Sequence, residues 1–402
     1  MNPTPGRIEP PASRRVRTAR WLAATAMAAA LGGLVLTTTA TAQAASGGAA
    51  VRPGSAGAGS LPAPRPIPLN TLNWSGIAGF DSRHPAWYTD GSGVVHLQGA
   101  VHQTTTSGPG DEYLIGTLPR AAAPAQRVLV PVHTFNGTYN DVIIETSGQM
   151  YTGPARSPAV TDFNFLSLEG ITFRPGGQGN KIAMNTANWT PEDPSFRPPA
   201  WYRDKSGVIH LQGATNQTSA GGTGANLIGT LPAAARPAST VYSIVATNGD
   251  TYADVAVEPN GTIDLIDPRA PAVKDYGQVS LESITYRPAG TGGAIGLNAA
   301  NWSGSAGFDS RGPGWYEDNS GIVHLQGAVH QTSPSGTGAN LIGTLPSAAC
   351  PSSTVYTIVH TFNGTYADLA IEPNCTLDLI NTRAPLITDY TFVSLESITY
   401  RR

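Results

Sequence analysis

Three groups of residues in this chain have the types and spacing that chemistry requires. The first is histidine. His96 and His102 stand six apart, His324 and His330 repeat the spacing, and His133 and His360 each add a third imidazole further on. Three imidazoles can hold Zn²⁺ and leave one position open. Against a metal, Asn216 and Ala246 stand where the second and third histidines would recur in mid-chain, and Gly99 and Gly327 allow a bulge between the paired ones. His360 is in phase with Tyr356 and Ile358, so it can also face a core. The competing reading is a polar strand face packed against a neighbour. The second group is carboxylate: Glu145 with Glu169, Glu258 with Glu282, and Glu372 with Glu396. Glycoside hydrolysis needs two carboxyls roughly 5–10 Å apart. Yet Glu258 and Glu372 precede Pro-Asn, a turn setting, and Glu282 and Glu396 are followed at five residues by Arg287 and Arg401, which predicts ion pairs. No G-x-S-x-G elbow is present, so hydrolysis is the minor reading. The third group is aromatic. Trp74 and Trp87, Trp189 and Trp201, and Trp302 and Trp315 come in pairs. An indole can stack on a sugar ring, or contribute several kcal/mol as core. Candidate ligand-binding residues are Trp74, Trp189, Trp302, Phe80, Arg83, Phe308 and Arg311.

The elements that must position these groups come in three copies. Trp-Tyr-x-Asp-x-Ser-Gly-(Val/Ile)-(Val/Ile)-His-Leu-Gln-Gly-Ala begins at Trp87, Trp201 and Trp315, and its histidine falls at His96, His210 and His324, a spacing of 114. That length suits a whole small domain rather than a solenoid unit. The chain therefore reads as repeat 1 (68–178), repeat 2 (179–291) and repeat 3 (292–402). Repeats 1 and 3 share Gly79–Arg83 with Gly307–Arg311, and Val132–Tyr139 with Val359–Tyr366. Repeat 2 instead has Pro194-Ser195-Phe196-Arg197 and Val245-Ala246-Thr247-Asn248-Gly249.

Residues 1–44 read as a signal peptide: Arg14, Arg15, Arg17 and Arg20, then an apolar run from Trp21 to Leu36, then Ala42-Gln43-Ala44. Residues 45–67 read as a Gly/Ala/Pro linker. The whole chain has 24 basic and 27 acidic residues; removing five arginines and one glutamate with residues 1–44 leaves 19 and 26, a net charge of −7. That balance argues against nucleic acid and anionic membrane surfaces as partners. The expectation is a secreted, extracellular chain with no membrane insertion after signal removal and no cofactor.

Within a repeat, short apolar runs alternate with Gly, Pro, Asn and Asp, and no amphipathic helix is legible. In repeat 3, Ile322–Val329 reads as one strand, with Val323, Leu325 and Val329 on one face and His324, Gln326, Ala328 and His330 on the other. Thr354–Thr361 and Tyr366–Ile371 read as a hairpin about Phe362-Asn363-Gly364-Thr365. The fold class is all-β: three tandem antiparallel β-sandwich or jelly-roll-like domains. Cys350 and Cys375 are equidistant from that hairpin turn, so they lie opposite each other, and an exported chain meets oxidising conditions. A disulfide is expected. Asn-x-Ser/Thr strings at Asn73, Asn136, Asn188, Asn260, Asn301, Asn363 and Asn374 match glycosylation acceptors but read as turn residues.

One run of elements carries a resemblance. In repeat 2 it is Trp189, Ala200-Trp201-Tyr202-Arg203-Asp204, Gly207–Gly213, Ile228-Gly229-Thr230-Leu231-Pro232, Arg236-Pro237, Val257–Gly261 and Val279–Tyr286. The pattern, over nearly all of 68–402, resembles a β-domain at the tips of phage tail-fibre and receptor-binding proteins and in secreted proteins of actinobacteria. The resemblance implies a jelly-roll-like domain that often trimerises, binds surface glycans and has no catalytic motif. Three copies in one chain depart from one copy on each of three chains. Two arrangements follow: an intramolecular pseudo-trimer in a monomer, or beads on a string. The preferred function is a non-enzymatic binding or adhesion protein for surface or environmental glycans, and the alternative is a structural extracellular or cell-surface repeat protein.

Overall fold

Every repeat is built from runs rich in Val, Ile, Thr and Tyr, which suit a pleated, half-buried surface. The computed structural model describes residues 62–76, 79–105, 113–134, 138–153, 163–247, 251–266, 276–304, 307–361, 365–380 and 390–402. The signal peptide, most of the linker, Asn136, Asn363 and the Phe362–Gly364 part of the hairpin turn lie outside these residues. All described residues belong to one unit, Ser55–Arg402. The chain is all-β, and its described helical segments are two single 3-10 turns.

Repeat 3 shows the plan. One antiparallel sheet runs Gly293–Ala294, Gly314–Glu317, Ile322–Gln326, Thr399–Arg401. The other runs Gly296–Leu297, Leu341–Thr344, Thr376–Ile380, Thr365–Ile371, Val355–Thr361, Val393–Ser394, Ala328–Gln331, Trp302–Gly304. Alternate side chains of the two sheets enclose one core per repeat, with Val323, Leu325, Val329, Leu369 and Leu377 inside repeat 3. Repeats 1 and 2 have their own cores. The first strand of repeat 1 is Arg65–Pro66, paired with Trp87 and Ala86, and Ile67 is buried in that core. The end assigned to the linker thus belongs to the domain, because a proline tolerates an edge strand.

Ile322–Val329 is two strands, not one. The chain leaves the smaller sheet at Gln326 and enters the larger at Ala328. Gly327 makes the corner at φ 81°, and an added Cβ would lie 2.2 Å from the Gly312 carbonyl oxygen. Gly99 and Gly213 turn the same corner at φ 86° and 90°. His96 and His102, like His324 and His330, therefore sit in different sheets, and the shared-face expectation fails.

The disulfide Cys350–Cys375 is formed, with Cα atoms 4.8 Å apart. The hairpin register runs from Val355↔Ile371 to Thr361↔Thr365, and the cysteines lie beyond its strands, Cys350 just after the 3-10 turn Ser347–Ala349 and Cys375, at φ 76°, just before Thr376–Ile380.

The repeats touch pairwise through Val128–Thr134, Val241–Thr247 and Val355–Thr361. Tyr139, Tyr252 and Tyr366 meet edge to face at centroid distances of 4.8–5.0 Å, a three-bladed cluster on a pseudo-threefold axis. Elsewhere the Asp-x-Ser turns meet: Lys205 Nζ donates to the Gly91 carbonyl at 2.7 Å and Asn319 N to Ser206 Oγ at 3.2 Å. The ring closes from last repeat to first. Arg401 lies over Tyr88, as Arg174 lies over Tyr202 and Arg287 over Tyr316, at 5.4, 5.3 and 5.1 Å. A cavity of about 50 Å³ beside Ile244 and Ile358 has room for a few waters but not a sugar.

Candidate functional site

The tryptophans offer no face to a ligand. Trp74, Trp189 and Trp302 are 1%, 0% and 2% exposed. Trp189 and Trp302 donate their indole N–H to the carbonyls of Ala225 and Ala339, each at 2.8 Å. Beside them Asn73, Asn188 and Asn301 are buried too, and Asn188 and Asn301 donate to Thr223 and Thr337, which removes them as glycan acceptors. The indoles are core because a short β-sandwich has few larger apolar groups with which to fill its centre.

The carboxylates Glu169, Glu282 and Glu396 hold the sheet corners. Each accepts the N–H of its corner glycine, Gly99, Gly213 or Gly327, at 2.7–2.9 Å. Glu396 also takes the Arg311 guanidinium at 2.8 Å. Burial pushes all three carboxyls up, against the opposing pull of Arg83, Arg197 and Arg311. Arg83 and Arg311 are thus bound inside the protein rather than presented to a ligand. Each also donates across a junction, Arg83 to the Arg401 carbonyl and Arg311 to that of Arg287, as Arg197 does to Arg174. The expected Glu282–Arg287 and Glu396–Arg401 pairs give way to this arrangement, since Arg287 and Arg401 stack on tyrosines.

The histidines are engaged one by one. His96, His210 and His324 donate their Nε2–H to the carboxylates of Asp90, Asp204 and Asp318 at 3.1–3.2 Å and stack on Tyr88, Tyr202 and Tyr316. Burial alone would raise the Asp90 carboxyl, but His96 and the N–H groups of Val94 and Ser92 outweigh it and hold it low. His133 pairs with Asp368 of repeat 3 at 2.8 Å, and His360 with Asp254 of repeat 2 at 2.9 Å. His330 bonds the Thr391 carbonyl, while His102 is partly exposed and opposite Ser75. Among the described residues no three His, Cys, Asp or Glu side chains converge as a metal would require. The sheet corner and the junctions separate what sequence spacing placed together.

Phe80 and Phe308 remain, 52% and 48% exposed. Phe80-Asp81 and Phe308-Asp309 are consecutive left-handed residues, φ 57° and 52°, then 59° and 51°. Each costs about 1 kcal/mol or more for a residue with a Cβ, so something must hold it. The neighbouring repeat does. Tyr356 Oη donates to the Phe80 carbonyl at 3.0 Å and the Thr354 N–H to that of Asp81 at 2.9 Å. Tyr242 and Thr240 do the same for Phe308 and Asp309 at 2.9 and 3.0 Å. Phe80 rests edge to face on Phe165, which meets His133 and Tyr356; Phe308, Phe392, His360 and Tyr242 repeat the group. Each of these two junctions is composite.

The third junction, between repeats 2 and 1, is built differently. Pro194 and Ser195 stand in place of Phe80 and Asp81, and proline fixes φ near −65°, which forbids the left-handed turn. Phe196 is buried against Leu129, Ala214 and Ala246. Arg127, where the others have Thr240 and Thr354, lies over the Phe196 ring at 5.2 Å and pairs with Glu145 at 2.7 Å. Sequence reasoning did not single out Arg127, although aligning the copies at that position exposes the exchange.

No family model matches the chain, and no curated protein and no solved structure matches it either.

Proposed function

We propose that the protein is a secreted, non-enzymatic binding or adhesion protein that recognises surface or environmental glycans at two equivalent junctions. The carrying observation is the pair of loops Phe80-Asp81 and Phe308-Asp309, which keep a half-exposed aromatic ring in a left-handed backbone held by the next repeat. Backbone strain of this kind concentrates at functional sites. A ring with polar neighbours suits a sugar, whose C–H face needs an apolar surface and whose hydroxyls need acceptors. The resemblance to tail-fibre tip domains belongs to the same reading, and the disulfide accords with an oxidising compartment. The paired carboxylates of a glycosidase have other work here: Glu169, Glu282 and Glu396 are spent on sheet corners. A glycan array probed with the parent protein and with Phe80→Ala/Phe308→Ala tests the proposal. The expected result is a set of hits lost in the double variant; hits that persist unchanged, or none from the parent, count against it.

A further inference from the structure

We propose that each open junction takes a cationic group, an ammonium or guanidinium, seated by the exposed aromatic ring between Asp81 and Glu372 at one site and Asp309 and Glu258 at the other. The inference rests on reading these junctions as recognition sites and narrows the ligand to an amine-bearing glycan.

One of the three junctions already holds a cation. One step beyond the pair Val128↔Ile144, Arg127 faces Glu145 across the hairpin. Its guanidinium is shared between that carboxylate and the Phe196 ring. At the same step beyond Val355↔Ile371 and Val241↔Val257, Thr354 faces Glu372 and Thr240 faces Glu258. The carboxylate recurs in all three copies; Glu258 accepts from Asn260 and Thr262, and Glu372 from Asn374 and Thr376, at 3.0–3.2 Å, but among the described residues the facing cation occurs in one. At the open junctions the loop adds a second acid, because Thr354 N–H holds the Asp81 carbonyl and Thr240 N–H that of Asp309. In the filled junction Ser195 stands at that place, its carbonyl bound by the Arg127 N–H at 2.8 Å. The second carboxylate is shifted rather than lost: Asp193, where the open junctions have Gly79 and Gly307, lies within the reach of Arg127, so the internal cation too has two acids near it.

Aromatic rings complete the arrangement. A cation near a ring face gains by its quadrupole, and Tyr and Phe both serve. Phe80 and Tyr356 provide rings at one site, Phe308 and Tyr242 at the other. Burial raises the Tyr356 phenol first, then Glu372 and Asp81 raise it further; Tyr242 is raised by burial, then by Glu258 and Asp309. The charge acting at both places is negative. The resident Arg127 is in effect a built-in model of the ligand group.

Calorimetric titration of the full chain tests this with three probes: a glucosamine oligomer with free amines, its fully N-acetylated counterpart, and N-acetyl-arginine amide. The amine-bearing oligomer should bind at two sites per chain, and the acetylated one at least about tenfold more weakly. Thr354→Arg, which supplies the cation internally, should leave one site, and Thr354→Arg with Thr240→Arg none. Glu372→Gln with Glu258→Gln removes the charge without adding volume and should weaken binding as acetylation does. Equal affinity for the two oligomers overturns the cation and leaves the glycan reading standing. Binding of the arginine probe alone upholds the cation site and ends the glycan reading. Binding of no probe overturns both, and undiminished binding by folded Glu→Gln variants overturns the assignment of the site.

Discussion

Glu396 joins three things at one point: the corner N–H of Gly327, the guanidinium of Arg311 and, through that arginine, the Arg287 carbonyl of the preceding repeat. Removing one partner of a buried ion pair leaves the other uncompensated, so Glu396→Ala should cost about 3–5 kcal/mol in equilibrium denaturation. A loss below about 1 kcal/mol would assign the carboxylate a surface role. Near neutral pH, protonation reaches a histidine first. Burial depresses the His210 imidazole; Asp204 partly restores it, while His324 and His96 oppose it. The unfolded chain then takes up a proton near pH 6.5, before the folded chain does, so stability tied to His210 is intact above that pH and lost as pH falls through it. The melting temperature should drop between about pH 7.5 and 5.5, with a shallower slope in His210→Gln. Glu169, Glu282 and Glu396 carry the opposite sign, because their raised carboxyls are costly when ionised, and acidification toward the carboxylate range relieves that cost. No change in melting temperature over the first interval would exclude a histidine contribution.

At the scale of elements, the β-content, the hairpin register and the Cys350–Cys375 pairing were legible, because alternation and turn residues report local geometry directly. The corner was only half legible. Gly327 lies in a run of strand formers, and the sequence does not say whether a glycine there makes a bulge or sends the chain to another sheet. That depends on Arg311 and Gly312, whose carbonyls crowd the missing Cβ. Gly327→Ala meets both the crowding and the positive φ, and should destabilise by at least about 2 kcal/mol. The ligand-binding reading of Arg83, Arg311 and the three indoles failed for a related reason: burial is a property of the assembled sheets and junctions. Phe80 and Phe308 stood out because repeat 2 lacks them, but their support comes from another repeat and no local pattern encodes it. Tyr356→Phe, a change confined to repeat 3, should therefore weaken binding at Phe80 of repeat 1 and spare the site at Phe308. Equal effects on both sites would contradict the composite geometry.

At the scale of the molecule, a ring closed from Arg401 to Tyr88 predicts a radius of gyration of about 20 Å by small-angle scattering for the roughly 335 residues of the three repeats. Values well above about 30 Å would mean that the repeats separate in solution. Repeat 3 has a part in both open junctions, lending Tyr356 to one and Phe308 to the other, and it alone carries a disulfide. If the two open junctions bind ligand as proposed, their asymmetry with the third sets the valence of the whole. A homotrimer has the same residue at all three interfaces and so offers three sites or none. A single chain can close one with Arg127 and keep two. With a ligand of two epitopes, cross-linkers with three arms percolate into gels, whereas those with two arms build linear strings. On such a divalent ligand this protein should thicken a solution without setting it.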